Sequence, residues 1–261
     1  MTQRVSITFA DGVADVRLSR PDKLNALDMP MLEALADAPA RLAATPGLRA
    51  VVLSGEGRGF CAGLDKATMG GLAGAGLDVV SRTHGLANLF QQTAWGWRDL
   101  PVPVIAAGHG VIFGGGLQVF SGADVRIARR DARLSVMEMK WGIVPDMAGF
   151  ALWRGLVRDD VLRELIYTAR EFSGEEGVAL GLVTRLADDP HAEAVALARQ
   201  IAARNPDAVR AAKRLANLSR DAGADRILMA ESVEQTALIA TPNQMEAVMA
   251  NVRKRRPVFT D

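Results

Sequence analysis

The sequence predicts an α/β fold in which short strands and helices alternate early and helices dominate late. Near the start, two segments alternate apolar and polar residues with period two, as half-buried strands do. Three further apolar segments are separated by stretches of helical character, the pattern of β–α crossovers that place strands beside one another in a sheet. The second half of the 261 residues is predicted to be almost entirely helical.

The first predicted elements are a hairpin and a capped helix. Val5–Phe9 and Val13–Leu18 are the two strands, and Asp11-Gly12 between them supplies the turn. Asp28 is the predicted N-cap of the first helix, because its carboxylate can accept a hydrogen bond from a free backbone N–H. Pro39 is expected to interrupt or kink that helix, since proline has no N–H to donate.

Later elements are marked by apolar runs and by helix-start signals. The three apolar segments predicted to be neighbouring strands are Leu48–Leu53, Val102–Ala106 and Val125–Ala128. In the second half, cap residues stand three positions before glutamate or glutamine, or directly before proline. These pairs are Ser173 with Glu176, Thr241 with Gln244, Asp189 with Pro190 and Asn205 with Pro206.

Composition and charge favour a soluble intracellular protein. With 31 basic and 30 acidic residues the net charge is +1, too small to indicate nucleic acid or a membrane as the main partner. Apolar stretches are broken well before the roughly 18 residues that a membrane span needs. One cysteine, Cys61, excludes an internal disulfide framework, and Met1–Ser6 lacks the apolar core of a signal peptide. A cytoplasmic location is therefore expected.

Two glycine-containing loops are the main functional signal. Ala106–Gly116 lies between apolar segments where a strand is predicted to turn into a helix. There, backbone without side chains lets a ligand oxygen approach the unpaired N–H groups of a helix N-terminus. A close strand–helix contact that needs glycine only for space is the alternative. A second loop, Gly57–Asp65, also follows a predicted strand, so that the two loops can converge on one ligand oxygen.

These motifs resemble those of the enoyl-CoA hydratase/isomerase, or crotonase, superfamily over nearly the whole chain. Five stretches carry the resemblance: Arg20–Leu27, Gly57–Asp65, the run ending at Gly114–Gly116, the segment from Leu134 through Gly149, and the basic end Lys254–Phe259. The resemblance implies a ββα spiral over residues 1–200, which holds an acyl-CoA site, and a helical trimerisation region over residues 201–261.

Two further features fit the resemblance. The helices after Ala222 carry more apolar residues than an isolated appendage can bury, among them Ile227, Leu228, Val233, Ala237 and Leu238. Partner subunits are therefore expected, and the family's arrangement implies a homotrimer or homohexamer. Met69–Gly76 contains four glycines and is predicted to be a mobile loop over the acyl pocket, with a plain linker as the alternative.

The resemblance assigns two backbone donors to the oxygen of a thioester enolate. Leu64 and Gly115 occupy the family's two oxyanion-hole positions, where a fixed N–H lowers the barrier by roughly 3–4 kcal/mol. A loop residue that only packs its side chain is the alternative for Leu64. Neither donor titrates, so both would act at any physiological pH.

The resemblance also places residues around coenzyme A. Ala62 and Asp65 are expected to shape the thioester end of the site, and Leu24 and Ala26 to flank coenzyme A. Lys254 falls where a family lysine contacts the coenzyme A phosphates, although it could equally be a solvated end of a helix. No cofactor is expected beyond the coenzyme A of the substrate itself.

Glu138 is the candidate for proton transfer at carbon. It lies among apolar residues, where a carboxylate is costly unless it is paired or functional. These neighbours are Val136, Met137, Met139 and Trp141. An ion pair with Lys140 or Arg133 is the alternative, but Glu138 also falls on the catalytic glutamate of the family.

Gln118 and Asp146 decide which reaction is favoured. Hydratases of the family carry a second glutamate where this chain has Gln118, and a neutral amide cannot take a proton from water. Asp146 matches an extra aspartate of dienoyl-CoA isomerases, although it could instead cap the following helix, and those isomerases also carry an acid where Gln118 stands. Double-bond isomerisation is therefore favoured over hydration, with Gln118 positioning substrate or water. A hydratase of fatty-acid oxidation and a catalytically silent acyl-CoA-binding protein are the alternatives.

The sequence lacks the residue patterns that other kinds of catalysis require. His84, His109 and His191 have no metal-ligand spacing with one another or with Cys61, so no metal site is predicted. Cys61 has no base near it in sequence and is predicted to be a buried thiol. Neither a Gly-x-Ser-x-Gly nucleophile elbow nor a P-loop occurs, and the only tyrosine is not followed by the lysine of short-chain dehydrogenases.

Overall fold

The computed structural model describes residues 3–72 and 78–261, and these form nine strands and eleven α-helices. The strands are β1 (Val5–Ala10), β2 (Val13–Leu18), β3 (Ala50–Gly55), β4 (Val104–Gly108), β5 (Val111–Phe113), β6 (Val125–Ala128), β7 (Arg133–Ser135), β8 (Phe172–Ser173) and β9 (Arg185–Leu186). The helices are α1 (Met29–Ala43), α2 (Lys66–Leu72), α3 (Leu89–Asp99), α4 (Gly115–Ser121), α5 (Gly149–Trp153), α6 (Asp159–Thr168), α7 (Gly174–Ala179), α8 (Pro190–Ala202), α9 (Pro206–Leu218), α10 (Ala224–Leu238) and α11 (Pro242–Val252). Two 3-10 helices cover Pro21–Lys23 and Glu138–Trp141.

Two sheets give the chain its spiral form. The larger sheet has the order β1-β2-β3-β4-β6-β9 and is parallel except for the β1/β2 hairpin. The smaller sheet has the order β5-β7-β8. The chain adds β4 to the larger sheet and β5 to the smaller one, and then repeats this step with β6 and β7. The α/β class and the ββα spiral that the sequence predicts are confirmed.

The hairpin and the first helix form as predicted, except at the proline. Asp11 and Gly12 both have positive φ, as a two-residue hairpin turn requires. The Asp28 carboxylate accepts a hydrogen bond from the Met31 N–H at 3.0 Å and caps α1. The expected interruption at Pro39 is wrong, because α1 continues to Ala43. Buried Pro39 packs against α3, where a Cβ atom on Gly96 would come within 2.9 Å of the proline ring, and this contact offsets the lost hydrogen bond.

The four later helix starts are confirmed, but the two capping boxes are only half formed. The side chains of Ser173, Asp189, Asn205 and Thr241 each accept a hydrogen bond from a backbone N–H in the first turn that follows. The Glu176 carboxylate pairs with Arg170 instead of returning to the cap residue. Likewise, the Gln244 side chain accepts from the Ala240 N–H and not from that of Thr241.

The glycine-rich run contains a strand that its sequence did not reveal. β4 ends at Gly108, and three residues of β5 join the smaller sheet before α4 begins at Gly115. A three-residue strand is too short to show a period. Of the predicted mobile loop Met69–Gly76, the part through Leu72 belongs to α2, and positions 73–76 lie outside the described residues.

Two apolar cores hold the fold. The larger one contains the biggest fully buried side chains, Trp97, Trp153, Phe60 and Phe120. The smaller one lies between the large sheet and α8, which contributes Ala194, Ala198 and Ala202. The predicted division at residue 200 thus falls inside α8, a helix packed on the sheet. In the part of the chain that the structure describes, no helix is long and apolar enough to cross a membrane.

Candidate active site

The loop that carries Leu64 is held between two segments of backbone. On one side, the Leu27 N–H donates to the Gly63 carbonyl at 2.8 Å and the Asp65 N–H donates to the Leu27 carbonyl at 3.0 Å. On the other side, the Phe113 N–H of β5 donates to the Cys61 carbonyl at 3.0 Å. The loop therefore continues the smaller sheet, and Leu64 lies between two residues whose backbone groups are already paired.

Gly115 lies directly across from this loop. As the first residue of α4, it has an N–H with no acceptor inside the helix. A Cβ atom on Gly63 would lie 3.7 Å from the Gly115 nitrogen, so the peptide before Leu64 and the start of α4 are neighbours. The structure thus brings together the two predicted donors of the oxyanion hole.

The glycines here serve both of the purposes that the sequence left open. Gly114 has φ 51°, a conformation that side chains disfavour, and its position lies beside the Glu138 carboxylate. A Cβ atom on Gly116 would come within 2.6 Å of the Cys61 carbonyl oxygen. Gly114 therefore permits the turn into the helix, and Gly116 permits close packing of the two loops.

Glu138 begins a 3-10 helix and is only 6% exposed. Its Oε1 atom accepts a hydrogen bond from Gln118 Nε2 at 2.6 Å, and its Oε2 atom is buried with no partner among the described residues. The ion-pair alternative is wrong, because Arg133 pairs with Glu171 and Lys140 makes no ion pair with Glu138 in the described structure. Burial raises the pKa of the Glu138 carboxyl, and the nearby charge of Asp146 raises it further.

The Gln118 side chain is fully buried and its orientation is fixed by the backbone. Its Oε1 atom accepts hydrogen bonds from the N–H groups of Met147 at 2.8 Å and Gly149 at 2.9 Å. Since only the amide oxygen can accept from two donors, the NH2 group must face Glu138. Gln118 therefore orients Glu138 and the loop that carries Asp146, a positioning role that the sequence did not reveal.

Asp146 does not cap the following helix. The N-cap of α5 is Ala148, and the N–H of the first helical residue, Gly149, is bonded to Gln118 and not to Asp146. Asp146 is exposed, but partial desolvation by neighbouring protein atoms raises the pKa of its carboxyl. Its negative charge acts on Glu138, so the two carboxyl groups border the same region.

The other predicted site residues of the N-terminal half lie against this loop. The Leu24 carbonyl accepts from the Ala62 N–H at 2.9 Å, and the Ala26 carbonyl accepts from Arg20 Nη1 at 2.9 Å. The Asp65 carboxylate binds Arg20 at 2.7 Å and the first turn of α2, and the Arg20 hydrogen bond lowers the pKa of Asp65. Asp65 thus helps to shape the loop, and its negative charge is paired with Arg20.

Lys254 follows α11 and contacts neither loop in the described structure. The tail after it docks near Arg49, whose guanidinium donates to the Phe259 carbonyl at 3.1 Å and pairs with Asp261 at 2.9 Å. Arg49 precedes β3, whereas the Leu64 loop follows that strand, so the tail docks at the other end of β3. A contact of Lys254 with coenzyme A stays a prediction.

Cys61 packs inside the site without nucleophilic character. Its thiol is buried and donates to the Asn25 carbonyl at 3.1 Å, and burial raises its pKa to about 12. A thiolate is therefore strongly disfavoured, in agreement with the predicted structural role. Within residues 3–72 and 78–261, no cluster of histidine, cysteine and acidic side chains could hold a metal ion.

A spiral fold with two backbone donors beside a buried glutamate defines a protein of the crotonase superfamily. The enoyl-CoA hydratase/isomerase family profile matches residues 8–261. The chain belongs to this family.

Similar proteins carry names from more than one activity. The chain is 30% identical to the mitochondrial Delta(3,5)-Delta(2,4)-dienoyl-CoA isomerase of Mus musculus, with 97% of this chain and 80% of that protein covered. It is 31% identical to the "Probable enoyl-CoA hydratase echA8" of Mycobacterium tuberculosis, with 95% and 94% covered. A crystal structure of enoyl-CoA hydratase from Bacillus anthracis superposes with TM-score 0.89 at 29% identity, covering 99% of each chain.

Proposed function

We propose that this protein acts on unsaturated acyl-CoA thioesters and moves a double bond through an enolate, with hydration as the weaker reaction. The observation that carries the proposal is the fixed amide of Gln118, which faces Glu138 at 2.6 Å. Of the two positions where hydratases of the family have glutamates, only one holds a base here. Asp146 adds a second carboxyl group whose charge acts on Glu138.

The reaction follows from these groups. The N–H groups of Leu64 and Gly115 hold the thioester oxygen, and the free Oε2 atom of Glu138 takes a proton from the carbon next to the thioester carbonyl. The C–H electron pair then becomes part of a conjugated enolate whose charge rests on the held oxygen. When the carbonyl re-forms, the electrons shift along the chain and a distal carbon takes a proton from Asp146. One proton leaves the substrate and one returns, so only the double bonds move. A proton then passes from Glu138 to Asp146 through solvent, which restores both carboxyl groups for the next turnover.

The charges of the two carboxyl groups suit this exchange. A raised pKa keeps a fraction of Asp146 protonated closer to neutral pH, which a proton donor needs. Glu138 must be ionised when the reaction begins, and its raised pKa makes it a stronger base than an exposed glutamate. Repulsion between the two carboxylates favours states in which only one of them is ionised.

Hydration is the second candidate, and the relatives named as enoyl-CoA hydratases favour it. Addition of water needs a base that takes a proton from the water. Gln118 cannot be that base, and base catalysis contributes roughly 10² to 10⁴ in rate. Hydration would then rest on Glu138 alone, which supports isomerisation as the main reaction.

The assembly and the location extend the proposal. A homotrimer or homohexamer would cover the apolar side chains that α10 and α11 expose. The relatives include mitochondrial and peroxisomal proteins, so their compartments differ. The cytoplasm stays a prediction, which fractionation of the source cells followed by immunoblotting would test.

The experiment is a comparison of two substrates on matched variants. A 3,5-dienoyl-CoA reports isomerisation and crotonyl-CoA reports hydration, both with product analysis. Gln118→Glu keeps acceptors for the Met147 and Gly149 N–H groups and supplies a second carboxylate, so we expect the ratio of hydration to isomerisation to rise at least about tenfold. Asp146→Asn should lower isomerisation, with Asp37→Asn, at an exposed position of α1, as its control.

Two results would contradict the proposal. One is efficient hydration of crotonyl-CoA by the unmodified protein with no double-bond migration, which would make the protein a hydratase for which glutamine suffices. The other is tight binding of both thioesters without turnover, which would make it a silent acyl-CoA-binding protein.

A further inference from the structure

We infer that Arg20 is a positioning residue for the oxyanion hole, because it ties together the backbone segments that present the Leu64 N–H. The inference rests on the proposed role of Leu64 as an oxyanion donor. Arg20 makes no hydrogen bond to Leu64 or Gly115 in the described structure, so it would act only through its partners. Those partners lie in the Leu64 loop itself and in the segment around Leu27 that pairs with it.

The Arg20 guanidinium bridges three segments of the chain. Nη1 donates to the Ala26 carbonyl at 2.9 Å and to the Asp65 carboxylate at 2.7 Å, and Nε lies 3.5 Å from the carboxylate of Asp28. Ala26 precedes Leu27, Asp65 follows Leu64, and Asp28 caps α1. One cation thus joins the strut that holds the Leu64 loop, the loop itself and the helix behind the strut.

These contacts are well placed to fix the direction of one N–H. Leu27 is bonded to Gly63 and Asp65, the residues on either side of Leu64. Arg20 adds a second connection between the same two backbone segments, because it bonds to the Ala26 carbonyl in one and to the Asp65 carboxylate in the other. Rotation of the Leu64 peptide would break one of these bonds, so the donor is held before substrate binds. Such preorganisation gives an oxyanion hole its effect.

Burial strengthens the contacts that Arg20 makes with its partners. The number of those partners explains why the residue is an arginine. The side chain of Arg20 is 13% exposed and that of Asp65 is 14% exposed, so water competes less than at a surface ion pair. The planar guanidinium offers five N–H donors in a fixed geometry and can serve several acceptors at once. A lysine ammonium could keep the bond to Asp65 but not the whole set.

A nearby ion pair provides a matched control. Arg17 binds the Asp15 carboxylate at 2.7 Å, the same distance as the bond between Arg20 and Asp65. Both residues of the control pair lie on β2, and their side chains make no hydrogen bond or ion pair with either loop in the described structure. Arg17→Met therefore removes an ion pair of the same length at a more exposed position, where the Arg17 side chain is 43% exposed, and leaves the Leu64 loop in place.

The test measures polarisation of a bound thioester together with turnover. A conjugated acyl-CoA such as 4-(dimethylamino)cinnamoyl-CoA absorbs at longer wavelength when its carbonyl oxygen accepts strong hydrogen bonds. In Arg20→Met we expect most of this red shift to disappear and kcat to fall roughly 10- to 100-fold, with KM changed by less than about threefold. Arg20→Lys should recover part of both signals, and Arg17→Met should change neither.

Coupling to Asp65 separates a positioning role from a general loss of structure. Asp65→Asn should reduce the red shift as Arg20→Met does, and the double variant should be little worse than either single one. Thermal unfolding and light scattering check that each variant folds and assembles. If Arg20→Met does not fold, Arg20→Lys and Asp65→Asn supply the same comparison.

The outcomes distinguish this inference from the proposed function. A full red shift and normal kcat in folded Arg20→Met would overturn the inference alone. Equal losses in Arg17→Met would also overturn it, since the effect would then be general. The absence of any red shift in the unmodified protein would contradict the oxyanion hole itself, and with it the proposed function.

Discussion

Helices α4 and α10 both carry apolar residues, but α4 buries them and α10 exposes them. All seven residues of α4 are buried, whereas none of the fifteen residues of α10 is buried in the single chain. On α10, Leu228 is 62% exposed, Met229 66% and Val233 61%. The neighbours of α4 all come from its own chain. An exposed apolar face like that of α10 is typical of an interaction surface, and the homotrimer or homohexamer proposed above would cover it.

The difference separates two tasks of the fold. The region around α4 fixes the geometry of the site through contacts within one chain, and we expect its variants to change catalysis or stability. The region around α10 presents an exposed apolar surface, and we expect variants there to change assembly. Four predictions test this separation, beginning with the largest expected effect.

The largest effect is expected at Glu138, next to α4. Glu138→Gln keeps the shape of the side chain but removes the only base at the two hydratase positions. Turnover of an unsaturated acyl-CoA should fall at least about a hundredfold, while coenzyme A binding stays nearly intact. Steady-state kinetics and calorimetric binding measure both quantities, and Glu33→Gln on α1 is the control. Unchanged turnover would remove Glu138 from the mechanism.

On α10, the expected effect is on assembly. Val233→Glu places a charge on the exposed apolar face and should convert a trimer or hexamer into smaller species at micromolar concentration. Gln235→Glu adds the same charge two residues further along, on roughly the opposite face of the helix, and should leave the assembly unchanged. Light scattering reports the mass. A monomeric unmodified protein would contradict the predicted oligomer.

Replacing a glycine by alanine should lower the stability of the protein in α4 but not in α2. Gly116→Ala in α4 would put a Cβ atom within 2.6 Å of the Cys61 carbonyl oxygen, and we expect a loss of roughly 1–3 kcal/mol in the free energy of unfolding. Gly70→Ala in α2 meets nothing within 4 Å and should be neutral or slightly stabilising. Urea denaturation compares the two variants. Equal midpoints would show that the loops can separate without cost.

The smallest effect expected is a pH-dependent gain in stability. The pKa of Glu138 is raised on folding, so the folded chain holds its proton to higher pH than the unfolded chain does. The contribution of this group to stability is therefore greatest at low pH and declines as the pH rises through the raised pKa. Glu138→Gln removes this decline.

Thermal unfolding at two pH values checks the sign. The melting temperature of Glu138→Gln should exceed that of the unmodified protein at pH 7.5, where the buried carboxylate must ionise, and the gain should vanish near pH 4. Glu33→Gln, which changes an exposed glutamate, should show no such dependence. A constant difference at both pH values would mean that packing, and not ionisation, causes the change.

Local sequence signals predicted the elements well where the physics is local. Asp28, Ser173 and Asn205 cap their helices because a short polar side chain reaches the first turn that follows it. The hairpin at Asp11-Gly12 follows from turn conformation alone. By contrast, β5 was missed, because a three-residue strand depends on pairing with β7, more than twenty residues further along.

The candidate site divides in the same way. Leu64 and Gly115 were located because glycine patterns mark loops where backbone must approach a ligand, and the family resemblance supplied their roles. The alternative roles for Asp146 and Glu138 could be decided only from spatial neighbours. Asp146 is not a cap because Ala148 takes the N-cap position of α5, and Glu138 has no ion pair among the described residues, where Arg133 binds Glu171.

The sequence by itself determined the α/β class and the two loops, and it marked Glu138 and Asp146 as candidates for proton transfer. Tertiary structure alone decided how those residues are oriented. The Gln118 amide is fixed by backbone N–H groups 29 and 31 residues away, and Arg20 reaches Asp65 across 45 residues. Hydrogen bonds between residues far apart in the sequence leave no period or motif in it. Each needs only one suitable partner, and the fold decides which distant residue comes close enough to be that partner.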